Sequence, residues 1–311
     1  MQDIVQQIRP LIDEIPRDED DPQYVYAFPI DQSQEILNFF QKFGFVVVRN
    51  VLTPQECQNT IDDIYGLLES DSSFRRDNID TWDAWPENGM KKHGMPTRAP
   101  VFTKATLANR QNKNVHRVFS LILGNDQLLV NHDRVGFQRP TKDVQFSDGV
   151  RDDCPHWKTA TNLHMDMDPF GYTFGNTAEE TLSGLRYGHR LNHFIFENNQ
   201  ISANMFNGLH LQGVINMHDN YEEDGGFQVV PGFPHVFDAW VKQYRNSEMA
   251  KLAGEKNSLL FPEEYLIQKV SIRIPMRAGS MVVWDQRCPH GAKSNRSSRF
   301  RCAQFLKMYI D

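Results

Sequence analysis

Two segments far apart in the chain carry residues that can do chemistry together: Thr161-Asn162-Leu163-His164-Met165-Asp166 and Cys288-Pro289-His290-Gly291. The first places a histidine and a carboxylate two residues apart. On an extended segment both side chains leave the same face, because strand side chains alternate. The second offers a lone histidine beside a Pro/Gly turn, right after the strand-like run Ser280-Met281-Val282-Val283-Trp284. Two imidazoles and one carboxylate on one face of a divalent iron, with three positions left open, form the facial triad of non-heme iron oxygenases. The pattern predicts a metal site made of His164, Asp166 and His290.

The chain has 11 histidines, so an HxD also arises by chance, and the plain alternative is a solvated polar strand end. The order of the residues favours the metal. An HxD, a long gap and then a histidine after an apolar strand is what a jelly-roll site needs. Early and late strands become neighbours when the two sheets fold over. His218-Asp219 is adjacent, so its side chains diverge on a strand. Asp168 is in phase with Asp166 but precedes Pro169. His156, His189, His193, His210 and His235 read as surface or hydrogen-bonded histidines.

Downstream of His290 stand Arg296, Arg299 and Arg301. At least one of them fits a basic surface turn. Arg301 opens the apolar run Cys302-Ala303-Gln304-Phe305-Leu306, from which its side chain can point into the sandwich. A buried guanidinium needs an anionic partner. A dicarboxylate such as 2-oxoglutarate supplies one through two parallel hydrogen bonds.

The elements that must position these residues are legible as patterns. Residues 33–43 read as an amphipathic helix ended by Gly44, followed by the β-rich run Phe45-Val46-Val47-Val48. Thr53-Pro54-Gln55-Glu56 is a capping-box pattern with proline at the first helical position, opening a helix to about Glu69. The stretch from Asp71 to about Lys113 reads as a functional loop or lid, carrying Trp82, Trp85, Phe102, Lys91, Lys92, His93 and Arg98. Lys113 to Leu123 reads as a helix. From residue 128 onward short strand candidates dominate: 128–130, 134–137, 209–217, 226–230, 270–274, 281–284 and 301–308. One helix, about Val236 to Ala253, interrupts them. The expectation is a mainly β chain with flanking helices. A mostly helical N-terminal part with a possible lid (1–127) packs on a double-stranded β-helix, jelly-roll or cupin-like core (128–311), all in one domain.

A net charge of -7 and a pI near 5.9 argue against a nucleic-acid partner. No apolar run reaches the roughly 18 residues of a membrane span. Neither end carries a recognised address signal, and the four cysteines show no CxxC pair, so a cytoplasmic chain with reduced thiols is expected. A small-molecule substrate fits this balance best.

On these segments the sequence resembles the phytanoyl-CoA dioxygenase family of Fe(II)/2-oxoglutarate-dependent oxygenases. Gly44 to Val48 followed by Leu52 to Cys57 looks like the family's entry segment. His164-Met165-Asp166 matches its HxD, and Gly225 to His235 looks like its G-x-x-x-x-x-P-G-S-H hairpin with one extra residue. Ala278 to Asp285, His290-Gly291, Asn295 and Arg301 are similar to its last motif. The resemblance implies Fe(II) held by His164, Asp166 and His290, with 2-oxoglutarate and O2 as cosubstrates. It assigns the far carboxylate of 2-oxoglutarate to Arg301 rather than Arg299, and Gln138, Arg134 and Lys104 lie where the site can continue. The reaction implied is decarboxylation of 2-oxoglutarate to succinate and CO2, coupled to oxidation of a substrate C–H, with hydroxylation favoured because Asp166 is retained. The chain departs from the pattern at Met165, Ala292 and Phe233-Pro234, and in a long insertion at 169–208. Two other classes share an HxD and a distal histidine: a cupin-like isomerase or lyase, which has no need of Arg301, and a catalytically silent binding sandwich.

Overall fold

A computed structural model describes residues 1–170, 187–190, 193–196, 211–256 and 258–310. Most of the 169–208 insertion, the strand start expected at Leu209 and the side chains of His189, His193 and His210 lie outside the described residues.

The N-terminal part contributes α1 (Gln2–Asp13), α2 (Ser33–Phe43), β1 (Phe45–Val48), α3 (Pro54–Ser70), α4 (Lys104–Arg110) and α5 (Lys113–Leu123). In α2 the apolar residues Ile36, Phe39, Phe40 and Phe43 recur at helical spacing and are buried. Gly44, at φ +73°, ends the helix in the left-handed region and turns the chain directly into β1. At the head of α3 the expected capping box is formed: the Glu56 amide donates to Thr53 Oγ1 and the Thr53 amide to Glu56 Oε2.

The rest of the chain is mostly strand: β2 (Leu128–Val130), β3 (Val135–Gln138), β4 (Val144–Gln145), β5 (Arg151–Asp152), β6 (Asn162–Met165), β7 (Tyr187–Arg190), β8 (His193–Phe196), β9 (Leu211–Asn216), β10 (Gly226–Val229), β11 (Leu259–Leu260), β12 (Ile272–Arg273), β13 (Met281–Asp285), β14 (His290–Lys293) and β15 (Arg301–Ile310), with α6 (Phe237–Tyr244) and α7 (Glu248–Lys256) between β10 and β11. Two antiparallel sheets carry the architecture. The larger runs β1-β13-β9-β15-β2, with β3 also on β15, and the smaller runs β11-β6-β14-β10-β12. The helical part is thus stitched into the core, since β1 pairs with β13 from Phe45↔Trp284 to Val48↔Met281.

Three expectations are corrected. The helix expected over 236–253 is two helices, because Ser247 breaks it and its hydroxyl accepts from the Ala250 amide, capping α7. Within 270–274 only β12 is strand, preceded by a 3-10 turn at Leu266–Val270. The segment 71–113 is not all loop: α4 lies in it, with Thr103 capping at the Thr106 amide. Helix α1 carries no strong sequence signal, because Pro10 lies inside it, yet it buries Ile4, Val5 and Ile8.

Most central strands are buried on both faces, because helices cover the outer face of each sheet. The larger sheet packs against α2, α3 and α5 through Ile36, Phe39, Ile61, Ile64, Val115 and Phe119. The smaller sheet packs its other face against α1 and α6 through Leu163, Met165, Ile8, Phe237 and Trp240. Along β6 the side chains alternate half-buried and buried: Leu163 and Met165 enter the helical layer, and Asn162 and His164 face the space between the sheets. Among the described residues no helix is long and apolar enough to cross a membrane, and all four cysteines are free and buried.

Candidate metal centre

His164 and His290 are directly opposite one another in the β6–β14 ladder, and their rings lie 4.7 Å apart between centroids. Asp166 follows immediately after β6. Its Oδ1 is 3.3 Å from His164 Nε2 and its Oδ2 is 3.7 Å from His290 Nε2. One ligand-type atom from each of the three lies within 4.8 Å of the others. Neighbouring donors around an octahedral ion with bonds of about 2.1 Å lie about 3 Å apart, so this donor set needs little adjustment to hold one.

Local chemistry prepares the donors. His290 Nδ1 is 2.9 Å from the Cys288 carbonyl, which can only accept, so Nδ1 carries the proton and the Nε2 lone pair is presented to the cavity. Burial lowers the His290 pKa below 6.5, an effect the neighbouring Asp166 only partly offsets. For Asp166, burial alone would raise the carboxyl. The imidazoles of His164 and His290, with Lys307 near them, hold it well below the usual carboxylate range instead. Its side chain keeps 40% of its accessible surface, which opens into the cavity. Gln212 on β9 donates to Asp166 Oδ2 at 3.1 Å, and Lys307 Nζ lies 3.6 Å from the same oxygen. Close strand approach completes the frame: a side chain at Gly291 would collide with the Asn162 backbone oxygen on β6.

The cavity beside this triad encloses about 150 Å³ between the sheets. Arg301 is at its buried end, 4% exposed, with no hydrogen-bond acceptor among the described residues, and its Nε is buried without a partner. Burial lowers its pKa from 12.5 to about 10, which leaves the guanidinium charged at neutral pH. Gly226, at φ +98°, makes room for it, because a Cβ there would overlap the guanidinium. Arg299 is different. Its Nε donates to Asp224 Oδ1 at 3.0 Å and its Nη2 to Glu223 at 2.6 Å, so its charge is matched, and it does not line the cavity. Gln138 pairs with Arg301 in register, lines the cavity and donates to Thr159 and the Lys293 carbonyl, while its Oε1 is buried without a partner.

Of the other sequence candidates, Arg134 lines the cavity and Lys104 does not. His218 packs on Phe300, Asp219 accepts from the Ala278 amide and His235 bonds the Lys42 carbonyl. Asp168 accepts from the Phe170 amide and is not part of the three-residue cluster. Met165 points into the helical layer, away from the cavity. From segment 71–113, His93 and Met95 reach the cavity, while Trp82 is buried in the hydrophobic core and Phe102 is exposed. Sequence reasoning missed Gln212 and Lys307. A signal existed for both. Position 307 is in phase with Arg301 on one strand, and Gln212 is a polar residue between Leu211 and Gly213 in the β-rich run whose register sets it opposite Lys307.

The profile of the phytanoyl-CoA dioxygenase (PhyH) family matches residues 184–303, a span that holds His290 and Arg301. A Dictyostelium discoideum protein provisionally named a phytanoyl-CoA dioxygenase is 42% identical over 276 residues, covering 87% of this chain and 74% of its own. The chain belongs to the phytanoyl-CoA dioxygenase family. Members of this family are Fe(II)- and 2-oxoglutarate-dependent oxygenases that use O2. Solved structures share the fold at low identity. A Salmonella typhimurium LT2 protein provisionally titled an oxidoreductase is 13% identical with a TM-score of 0.59, over 97% of this chain and 76% of its own. The epimerase SnoN, solved with Fe3+, alpha-ketoglutarate and nogalamycin RO, is 14% identical with a TM-score of 0.50, over 90% and 84%. The jelly-roll core with a helical N-terminal part is therefore the family's double-stranded β-helix fold.

Proposed function

We propose that this family member is an Fe(II)/2-oxoglutarate-dependent dioxygenase that oxidises a C–H bond of a small molecule, releasing succinate and CO2. His164, Asp166 and His290 are the residues that would hold the iron. Arg301 would take the far carboxylate of 2-oxoglutarate, with Gln138 beside it, and one domain, 1–311, carries the whole site. SnoN, which shares the fold, holds both Fe3+ and alpha-ketoglutarate.

The observation that carries the reading is Arg301: a buried guanidinium with no acceptor among the described residues, in the same cavity as the triad. An uncompensated buried charge is costly, so an anionic occupant is called for. A cupin-like isomerase or a silent sandwich has no use for it. When bound, the iron supplies the redox chemistry that activates O2 and splits 2-oxoglutarate. The chain's own residues do the rest. His290 presents Nε2 because Cys288 holds Nδ1–H. Gln212 fixes one oxygen of Asp166. Arg301 orients the cosubstrate, and Phe227, Trp284 and Phe305 line a largely apolar wall that limits water.

The test is an oxygen-free titration with Fe(II) and 2-oxoglutarate, followed by succinate measurement on admitting O2 with a metabolite library. The expected result is the weak visible charge-transfer band of the chelate and substrate-dependent succinate. A protein that binds iron but not 2-oxoglutarate would favour the cupin-like alternative and end this reading.

A further inference from the structure

The charges in the cavity do not balance once the proposed occupants are counted, and the excess residue is Lys307. With iron and 2-oxoglutarate bound, the two positive charges of the metal and the one on Arg301 are matched by Asp166 and the cosubstrate's two carboxylates. Arg134 is matched by Asp133, 3.2 Å away in the same wall. Lys307 then has no counter-charge among the described cavity residues, because its one near carboxylate, Asp166, is engaged by the metal. Its side chain is only 16% exposed. A half-buried ammonium beside a divalent cation is unfavourable unless an anion joins it.

Lys307 also points to the right place. Alternation on β15 puts 301, 305 and 307 on one face, and all three line the cavity. The cross-strand partners of 305 and 307 on β9, Val214 and Gln212, line it too. Lys307 Nζ is 3.6 Å from Asp166 Oδ2, so an ion bonded to that oxygen at about 2.1 Å lies no more than about 6 Å from the ammonium. The mouth adds His93 from the lid, but no further carboxylate among the described residues.

We propose that Lys307 binds the substrate's carboxylate, so that the substrate is a small carboxylic acid oxidised at a carbon close to that group. One excess positive charge calls for one negative charge, which fits a carboxylate better than a phosphate dianion. The inference rests on the dioxygenase reading and names the substrate class for the same site.

Calorimetry under nitrogen tests it on the full chain loaded with Fe(II) and saturating 2-oxoglutarate. The probes are acetate and benzoate, their primary amides, and methyl phosphate. The expected result is binding of a carboxylate at least about tenfold tighter than its amide. Lys307→Met should bring that ratio to about one and bind iron no more weakly than the parent, while Lys307→Arg keeps the ratio, both being compared at saturating iron and 2-oxoglutarate. The Arg variant, with matching melting temperatures, separates loss of charge from loss of fold. A carboxylate preference that survives in Lys307→Met overturns the proposal, as does a parent protein with no preference or one that prefers methyl phosphate. Loss of iron in Lys307→Met would make Lys307 a positioning residue for Asp166 instead. A parent that fails to bind iron and 2-oxoglutarate brings down the dioxygenase reading itself, an outcome distinct from all of these.

Discussion

His164 on β6 and His290 on β14 are cross-strand partners, 126 positions apart in the chain and opposite in register. Their ring separation of 4.7 Å is set by how closely two strands approach.

That approach depends on Gly291. A Cβ there would meet the Asn162 backbone oxygen, which cannot move without shifting β6. Gly291→Ala should therefore widen the gap between the two imidazoles and cost metal affinity at least about tenfold, or roughly 1.4 kcal/mol. Titration with Fe(II) or Co(II) checks this. Asp166→Ala should abolish substrate-dependent succinate outright. Unchanged metal affinity in Gly291→Ala would mean that β14 yields freely and the register does not set the site.

Arg299 and Arg301, two positions apart in sequence, should behave differently. Arg301→Ala removes the buried, unmatched guanidinium and should raise the 2-oxoglutarate KM by about one hundredfold, in line with loss of a desolvated carboxylate contact. Arg299→Ala breaks an ion pair with half-exposed Glu223 and with buried Asp224, whose carboxylate loses its cation. It should cost about 3 kcal/mol of stability and leave KM within about twofold. Steady-state succinate assays on both variants decide, and the reverse ranking would move the cosubstrate role to Arg299.

Much of this was readable from the chain. Helix α2 and β1 follow from apolar spacing that switches period at Gly44, and α3 from its cap. His164 and Asp166 follow from a shared phase on an extended segment, and Arg301 over Arg299 from the family resemblance. The rest depends on what the strands meet. Nothing in the Cys288–Gly291 turn announces that His290 begins a strand, because β14 is defined by its partners β6 and β10. The lid's aromatic content suggested a role over substrate, yet Trp82 is core, and the residues that reach the cavity are His93 and Met95. Their placement comes from two backbone bonds, Phe137 N–H to Gly94 O at 2.6 Å and Ala160 N–H to Lys92 O at 2.7 Å, which no side-chain pattern encodes.

Acid should weaken the metal-free protein in a defined window. Burial is the leading cause that holds His290, His218 and His93 below 6.5 in the fold. Unfolded, each takes its proton near 6.5. Below that value the unfolded state therefore binds more protons, and stability falls as pH drops, by up to about 1.4 kcal/mol per pH unit for each proton. Asp166 acts on another range: its stabilisation is present above 3.8 and is lost only as pH falls through its lower folded value. Melting curves between pH 8 and pH 5.5 should be nearly level above 7 and decline below 6.5. His218→Leu, which removes an imidazole whose Nε2 has no partner among the described residues, should make the decline shallower. A melting temperature independent of pH across this range would contradict the assignment.

Arg139 should prove to be the fastener of the lid. Its guanidinium lies 5.2 Å from the ring centroids of both Trp85 and Trp157, and its Nη1 donates to the Trp82 carbonyl at 2.7 Å. It is 2% exposed, and burial lowers its pKa to about 10. Asp83 adds a longer contact at 3.9 Å and accepts from Trp157 Nε1. A lysine keeps the charge but has neither the flat face to stack between two indoles nor the second donor. Arg139→Lys should cost about 2 kcal/mol, because a buried ammonium would stay imperfectly paired. It should also speed proteolysis between residues 71 and 103. His93 and Met95 hang from the same segment, so substrate KM should rise more than 2-oxoglutarate KM. Equal protease resistance in parent and variant would show that the two backbone bonds at Gly94 and Lys92 hold the lid without help from Arg139.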